Sequence, residues 1–134
     1  IIMDTVETPV NWDNLHHIHD AVLAYAHSVP NTLCMSHMSH FYPFGTNLYF
    51  IYGIKGQVSD YVAFRTGLVD AMVNAGGSPS HHHGVGRLMH QWIERFLGKE
   101  EMDVLRALKR HFDPHNVMNP GAQLGLEVAP ELKR

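Results

Sequence analysis

The chain has 134 residues, a length that fits one domain able to bury a real core. Apolar residues make up 45% of it and charged residues 17%, which excludes a disordered polyelectrolyte. The net charge of −3 excludes the electrostatic footprint of a nucleic-acid binder. Six of the ten basic residues fall between Arg87 and Arg110, but Glu94, Glu100, Glu101 and Asp103 are interleaved with them, as on a solvated helical face.

Cys34 is the only cysteine, so the chain has no internal disulfide and no CxxC metal or redox motif, in keeping with a reducing compartment. No apolar run approaches the roughly 18 residues that span a bilayer, and no signal peptide is visible. The chain opens in strand-like sequence without an initiator methionine, so it is expected to be part of a longer protein. Its last residues, Glu131-Leu132-Lys133-Arg134, are no peroxisomal address.

Ile1 to Val10 alternates loosely and is rich in β-branched residues, which predicts a strand. Asn11 or Asp13 can cap the helix that follows, where Leu15, Ile18, Val22, Tyr25 and Val29 recur at three/four spacing until Pro30-Asn31 ends it. Thr32 to Tyr42 reads as a second strand, with Cys34, Ser36, Met38, His40 and Tyr42 expected on one face and His37 on the other. Pro43-Phe44-Gly45 is a turn, and Asn47 to Ile54 a third strand. Ser59 and Asp60 stand near the start of a second helix whose stripe is Tyr61, Phe64, Leu68, Met72 and Ala75, stopped by Gly76-Gly77. Ser78 to His82 is assigned as a short fourth strand. The order β-α-β-β-α-β is that of a ferredoxin-like α+β fold, an antiparallel sheet with helices on one face. Two C-terminal helices follow, Arg87 to Leu97 and Glu100 to Phe112, the second with Met102, Leu105, Leu108 and Phe112 as its stripe. The expected organisation is a ferredoxin-like unit over residues 1–83 and a helical return segment over residues 84–134.

The most informative run is Ser80-His81-His82-His83-Gly84-Val85-Gly86. Three consecutive imidazoles can each donate, accept or carry a proton near neutrality. Gly84 and Gly86 bracket them, and glycine serves where backbone must turn or come close to something. The plain alternative is a solvated histidine-rich loop, made easier by twelve histidines in the chain. A second cluster, Ser36-His37-Met38-Ser39-His40-Phe41-Tyr42, ends in a tyrosine beside the Pro43 turn. Tyr42 with nearby imidazoles is a plausible proton-transfer set; by residue type alone, a packed structural tyrosine is the stronger reading. His16, His17, His19 and His27 fall on the first helix and read as surface residues.

Zinc takes histidine, thiolate and carboxylate ligands. No HExxH or C2H2 spacing occurs here, and adjacent residues of one strand cannot all face one ion, so no metal site is expected. Gly84-Val85-Gly86 lacks the third glycine of a dinucleotide fingerprint, and neither a Walker loop nor GxSxG is present. The chain has no phosphate cradle of its own.

His82-His83-Gly84-Val85-Gly86, followed by Phe112-Asp113-Pro114 and Met118-Asn119-Pro120-Gly121, resembles the C-terminal part of FAD-linked oxidases of the vanillyl-alcohol oxidase type. The full triplet, with Ser39-His40-Phe41-Tyr42 before it and Gln91-Trp92 after it, is more similar to the alkyldihydroxyacetonephosphate synthases and their bacterial relatives. The resemblance covers essentially the whole chain. It implies a cap of ferredoxin-like build over the flavin of a separate FAD-binding domain, which would precede residue 1. It further implies that Tyr42 is the acid/base tyrosine, and that His81, His82 and His83 face substrate and flavin. Gly84 and Asn119 would lie toward the cofactor. The implied reaction removes a proton from acyl-dihydroxyacetonephosphate and replaces the fatty acid with a long-chain alcohol. Implied partners are the chain's own N-terminal FAD-binding domain, a small-molecule or lipid phosphate substrate, and a second copy in a homodimer. Sister enzymes that oxidise D-2-hydroxy acids carry Glu-His-Gly where this chain has His82-His83-Gly84. Some of them hold a metal through two histidines, the second of which is Tyr49 here. The alternatives are such a hydroxy-acid or alcohol oxidase, or a non-catalytic ferredoxin-like binding module.

Overall fold

The computed structural model describes residues 1–122, 124 and 126; Glu131–Arg134 lie outside the described residues. Two compact units divide the chain, Ile1–His83 and Gly84–Arg134.

The first unit is a three-stranded antiparallel sheet with two helices. Its elements are β1 (Ile2–Asn11), α1 (Leu15–Ser28), β2 (Thr32–Tyr42), β3 (Gly45–Ile54) and α2 (Val58–Asn74), with a 3-10 turn over Trp12–Asn14. The strand order is β1-β3-β2, so β3 is central and pairs on both sides. Alternation assigns the strand residues to two faces, up to a bulge in β2. Val6, Val10, Leu48, Phe50, Tyr52 and Ile54 are buried on one face. α1 and α2 pack there through Ile18, Val22, Ala26, Phe64, Leu68, Val69 and Met72. Glycine at position 67 lets the helices meet, because a Cβ there would lie 2.1 Å from the Tyr25 hydroxyl. At the start of α2 the Gln57 amide donates to Asp60 Oδ2 at 2.7 Å, so Asp60 satisfies one of the helix's first donors. Asp4 ties β1 to α2: its Oδ2 accepts from the Tyr52 and Tyr61 hydroxyls at 3.0 and 2.7 Å and lies 3.4 Å from Arg65 Nε.

The α+β class and the order β-α-β-β-α agree with the sequence reading. The fourth strand does not form: residues 78–83 are bends and irregular backbone, and the described sheet has three strands. The reason lies in the amides. Those of His81, His82 and His83 all point at one carboxylate oxygen, Glu7 Oε1, at 3.2, 2.7 and 2.7 Å. A ladder needs successive amides to point in opposite directions, whereas three converging on one acceptor curl the chain into an anion nest.

In the second unit α3 (Gly86–Leu97) and α4 (Lys99–Phe112) meet. Ile93, Met102 and Leu126 form their core, with Val85, Leu97, Leu105 and Leu124 against it. The predicted stripe of α4 is only half buried, since Leu108 and Phe112 are exposed. After α4, Asp113 accepts from the amides of Val117 and Met118 at 2.9 and 3.0 Å and pairs with Lys109. The Lys109 ammonium, helped by those amides, holds the Asp113 carboxyl down at about 2.

Candidate active site

The candidate site residues of the first unit gather on the face of the sheet turned away from α1 and α2. Register places Glu7 of β1, Tyr49 of β3 and His37 of β2 in one row across it, with Asn47 next along β3. The His37 ring stacks on the Tyr49 ring, centroids 4.5 Å apart and nearly parallel.

β2 departs from simple alternation between Ser39 and Tyr42, where one extra residue interrupts the register with β3. His40 sits in this bulge with φ of 55°, a left-handed conformation that is uncommon outside glycine. The Thr46 hydroxyl holds the bulge by donating to the Ser39 carbonyl at 2.9 Å. The slip has a chemical consequence. Met38 pairs with Leu48 on the helix side, yet His40 and Tyr42 come out on the open side with His37. The expected division, with His37 opposite His40 and Tyr42, is therefore corrected: all three share one face.

Tyr42 stands at the rim, 38% exposed, where its ring stacks on Phe44 at 5.8 Å. The turn beneath it is pinned because the Trp12 indole donates to the Pro43 carbonyl and the Trp12 amide to that of Phe44, both at 3.2 Å. The Tyr42 hydroxyl lies 3.3 Å from His81 Nε2. Deeper in, Tyr49 is only 8% exposed, and its hydroxyl lies 3.0 Å from His40 Nδ1 and 3.5 Å from His82 Nε2. The His82 and His83 rings are neighbours, centroids 4.4 Å apart.

Beneath the triplet is Glu7, which is 2% exposed and which sequence reasoning passed over as one more strand residue. Besides the three backbone amides it accepts from Asn47 Nδ2 at 2.7 Å, and its Oε2 lies 2.7 Å from His82 Nδ1. Burial pushes its carboxyl up, but the amides of His83, His82 and His81 together with Asn47 outweigh this and hold it below its ordinary value. Its only signal in the sequence was a carboxylate between Val6 and Thr8, and Asp4 in the same strand offers the same signal.

Two sets of ligand atoms converge here within 4.8 Å, His40 with His81 and His82, and Glu7 with His82 and His83. The objection that adjacent residues of a strand cannot face one ion does not apply, because the triplet is not in a strand. In each set, though, some ligand atoms already face hydrogen-bond partners, His82 Nδ1 toward Glu7 and His40 Nδ1 toward Tyr49.

Of the predicted site residues, Tyr42, His81, His82 and His83 are drawn together in the first unit. Gly84 belongs to the second, with φ of 83° and open space where a Cβ would go. Asn119, also left-handed at φ 46°, accepts from the Ala122 amide at 3.0 Å within a turn.

The family model described as "FAD linked oxidases, C-terminal domain" matches residues 1–122. The chain belongs to this family. Among members of known sequence, alkyldihydroxyacetonephosphate synthase of Dictyostelium discoideum is 33% identical over 128 residues, covering 88% of this chain and 21% of that protein. The uncharacterized FAD-linked oxidoreductase YgcU of Escherichia coli K12 is 29% identical over 136 residues, covering 92% and 28% respectively. The glycolate oxidase subunit GlcD of Bacillus subtilis is 39% identical, but over only 54 residues, or 40% of this chain. A solved structure of alkyldihydroxyacetonephosphate synthase superposes with a TM-score of 0.56 at 28% identity, covering 88% of this chain and 19% of that one. This FAD-linked oxidase domain thus spans 21–28% of the length of the Dictyostelium and Escherichia coli relatives, which match it along most of its own length.

Proposed function

We propose that the chain is the substrate-side cap of an FAD-dependent enzyme similar to alkyldihydroxyacetonephosphate synthase. On this reading it exchanges acyl for alkyl on a dihydroxyacetone phosphate ester. The observation that carries the proposal is the Tyr42–His81 pair, 3.3 Å apart at an open rim and backed by a second layer of His40, Tyr49 and His82.

The residues present fit a flavin in one sense only. No glycine-rich phosphate cradle occurs, so the phosphates of FAD would be held elsewhere, by a domain preceding residue 1. What this chain offers is a polar, titratable surface suited to the edge of a flavin and the substrate beside it. FAD, when bound, supplies the redox-active ring at which acyl and alkyl groups exchange.

This chain's residues handle the protons. Tyr42, exposed at the rim, takes or returns the substrate's proton while His81 Nε2 serves as partner to its hydroxyl. A phenol and an imidazole in hydrogen-bond contact can pass one proton between oxygen and nitrogen without charge leaving the pair for solvent. His83 presents a further donor toward an anionic substrate, and His82 backs the pair through the Tyr49 hydroxyl. Gly84 lets the backbone turn immediately after the triplet, and Asn119 marks the return toward the cofactor domain.

Oxidation of a D-2-hydroxy acid is the second reading, supported by the local likeness to the glycolate oxidase subunit. Exchange is preferred because the synthase relatives match along most of the chain and the glycolate oxidase subunit along less than half. The deciding experiment assays the product of the complete gene for alkyl/acyl exchange on acyl-dihydroxyacetonephosphate, beside flavin reduction by 2-hydroxy acids. Exchange supports the first reading; flavin reduction without exchange overturns it.

A further inference from the structure

Glu7 has no place in the chemistry above, yet it is the most densely hydrogen-bonded side chain of the site. Its Oε1 accepts the amides of His81, His82 and His83, and its Oε2 accepts Asn47 Nδ2 while lying 2.7 Å from His82 Nδ1. An ionised carboxylate has no hydrogen to give. A 2.7 Å contact between it and an imidazole nitrogen therefore requires the hydrogen to sit on His82 Nδ1. His81 Nδ1 lies 3.1 Å from the same nitrogen, but His82 Nδ1 has one hydrogen, and the nearer, charged acceptor takes it.

With Nδ1 so occupied, the other nitrogen of a neutral His82 carries the lone pair. That nitrogen, Nε2, lies 3.5 Å from the Tyr49 hydroxyl, which in turn lies 3.0 Å from His40 Nδ1. The groups facing His82 are then Glu7 and Asn47 beneath, His81 and His83 beside, and Tyr49 and His40 across. Only Glu7 among them carries a fixed charge.

We propose that Glu7 is a positioning residue: it clamps the backbone of the triplet and locks His82 in its Nδ1–H form, so that Nε2 is the face offered to Tyr49 and the substrate side. This rests on the reading of the triplet as part of an active site. It makes Glu7–His82–Tyr49–His40 one oriented chain of hydrogen-bonding groups running beside the Tyr42–His81 pair. Asn47 completes the device, since its Nδ2 donation fixes Oε2 so that the remaining lone pair meets His82. The logic is that of histidines generally, where the partner of one ring nitrogen decides what the other can do.

The test is a long-range ¹H–¹⁵N imidazole spectrum of the 134-residue chain labelled at histidine, with His82 assigned from the His82→Gln variant. The expected result is His82 as the Nδ1–H tautomer in the wild type and a shift to Nε2–H in Glu7→Gln, whose amide nitrogen can donate but not accept. A wild-type His82 in the Nε2–H form, or an unchanged tautomer in a folded Glu7→Gln protein, overturns the proposal. Should Glu7→Gln not fold, the wild-type spectrum decides alone. In the full-length enzyme, Glu7→Gln is expected to lower kcat about 10- to 100-fold with little change in KM, as for other groups that orient a working histidine. If Tyr42→Phe lowers turnover and Glu7→Gln leaves kcat intact, the positioning role fails while the exchange reading survives. If neither variant, nor His82→Gln, changes turnover, the functional reading itself has failed.

Discussion

Replacing Glu7 by alanine should cost as much stability as truncating a buried core side chain, and the structure says why. Five donors lose their acceptor at once: three backbone amides of residues 81–83, Asn47 Nδ2 and His82 Nδ1. They do not lose equally. His82 and His83 are exposed, so their amides can turn to water, whereas Asn47 is fully buried and its amide cannot. A hydrogen bond to a charged group nets about 1.5–3 kcal/mol, but such bonds sharing one acceptor are not additive. Counting the buried donor in full and the loop donors in part gives a loss of about 3–5 kcal/mol, within the range for breaking a buried charged network. Against a typical total of about 5–15 kcal/mol this is large. With a urea slope of about 1–3 kcal/mol per molar it moves the unfolding midpoint by about 2 M. Glu7→Gln, which keeps one acceptor oxygen, should cost about 1–2 kcal/mol by the same reasoning. The assay is urea denaturation of the 134-residue chain followed by circular dichroism. A loss below about 1 kcal/mol for Glu7→Ala would show that the loop rehydrates freely and that Glu7 does not hold it.

Tyr42→Phe in the full-length enzyme should reduce turnover sharply while leaving bound FAD unchanged; unaltered turnover removes Tyr42 from the mechanism. Stability should fall in acid, because Glu7 and Asp4 both sit below their ordinary carboxyl values when folded. For a depressed carboxylate the stabilisation is complete above its unfolded value and is lost as pH falls through the folded one. Unfolding midpoints should therefore hold from neutrality to about pH 5 and drop below that, and the drop should be smaller in Glu7→Gln. Gly45→Ala should destabilise by about 1–3 kcal/mol and disturb the Tyr42 rim, since a Cβ there would stand 2.1 Å from the Val10 carbonyl oxygen. Cys34, its thiol pushed up to about 11 by burial, should react slowly with iodoacetamide until the chain unfolds.

Much of the first unit was legible in the sequence because its elements obey single periodicities. Ile18 and Val22 mark the buried stripe of α1, and Leu48, Phe50, Tyr52 and Ile54 the inner face of β3. Three features escaped, each decided by a long-range contact. Ser78 to His82 has strand-like spacing, but its backbone follows a carboxylate more than seventy residues earlier. His40 and Tyr42 have the parity of Met38 on paper, and one extra residue at a left-handed histidine undoes it. Glu7 reads as an ordinary polar strand residue until its partners from β3 and the triplet arrive. On α4, Leu108 and Phe112 have the right spacing for a core but are exposed. The histidine triplet was conspicuous; what holds it was not.

The most direct test of the proposed site compares the complete enzyme with its Tyr42→Phe and His81→Gln variants in alkyl/acyl exchange on acyl-dihydroxyacetonephosphate. Exchange in the wild type, lost in both variants with FAD still bound, is the expected result. Flavin reduction by 2-hydroxy acids with no exchange, or exchange indifferent to both substitutions, would contradict it.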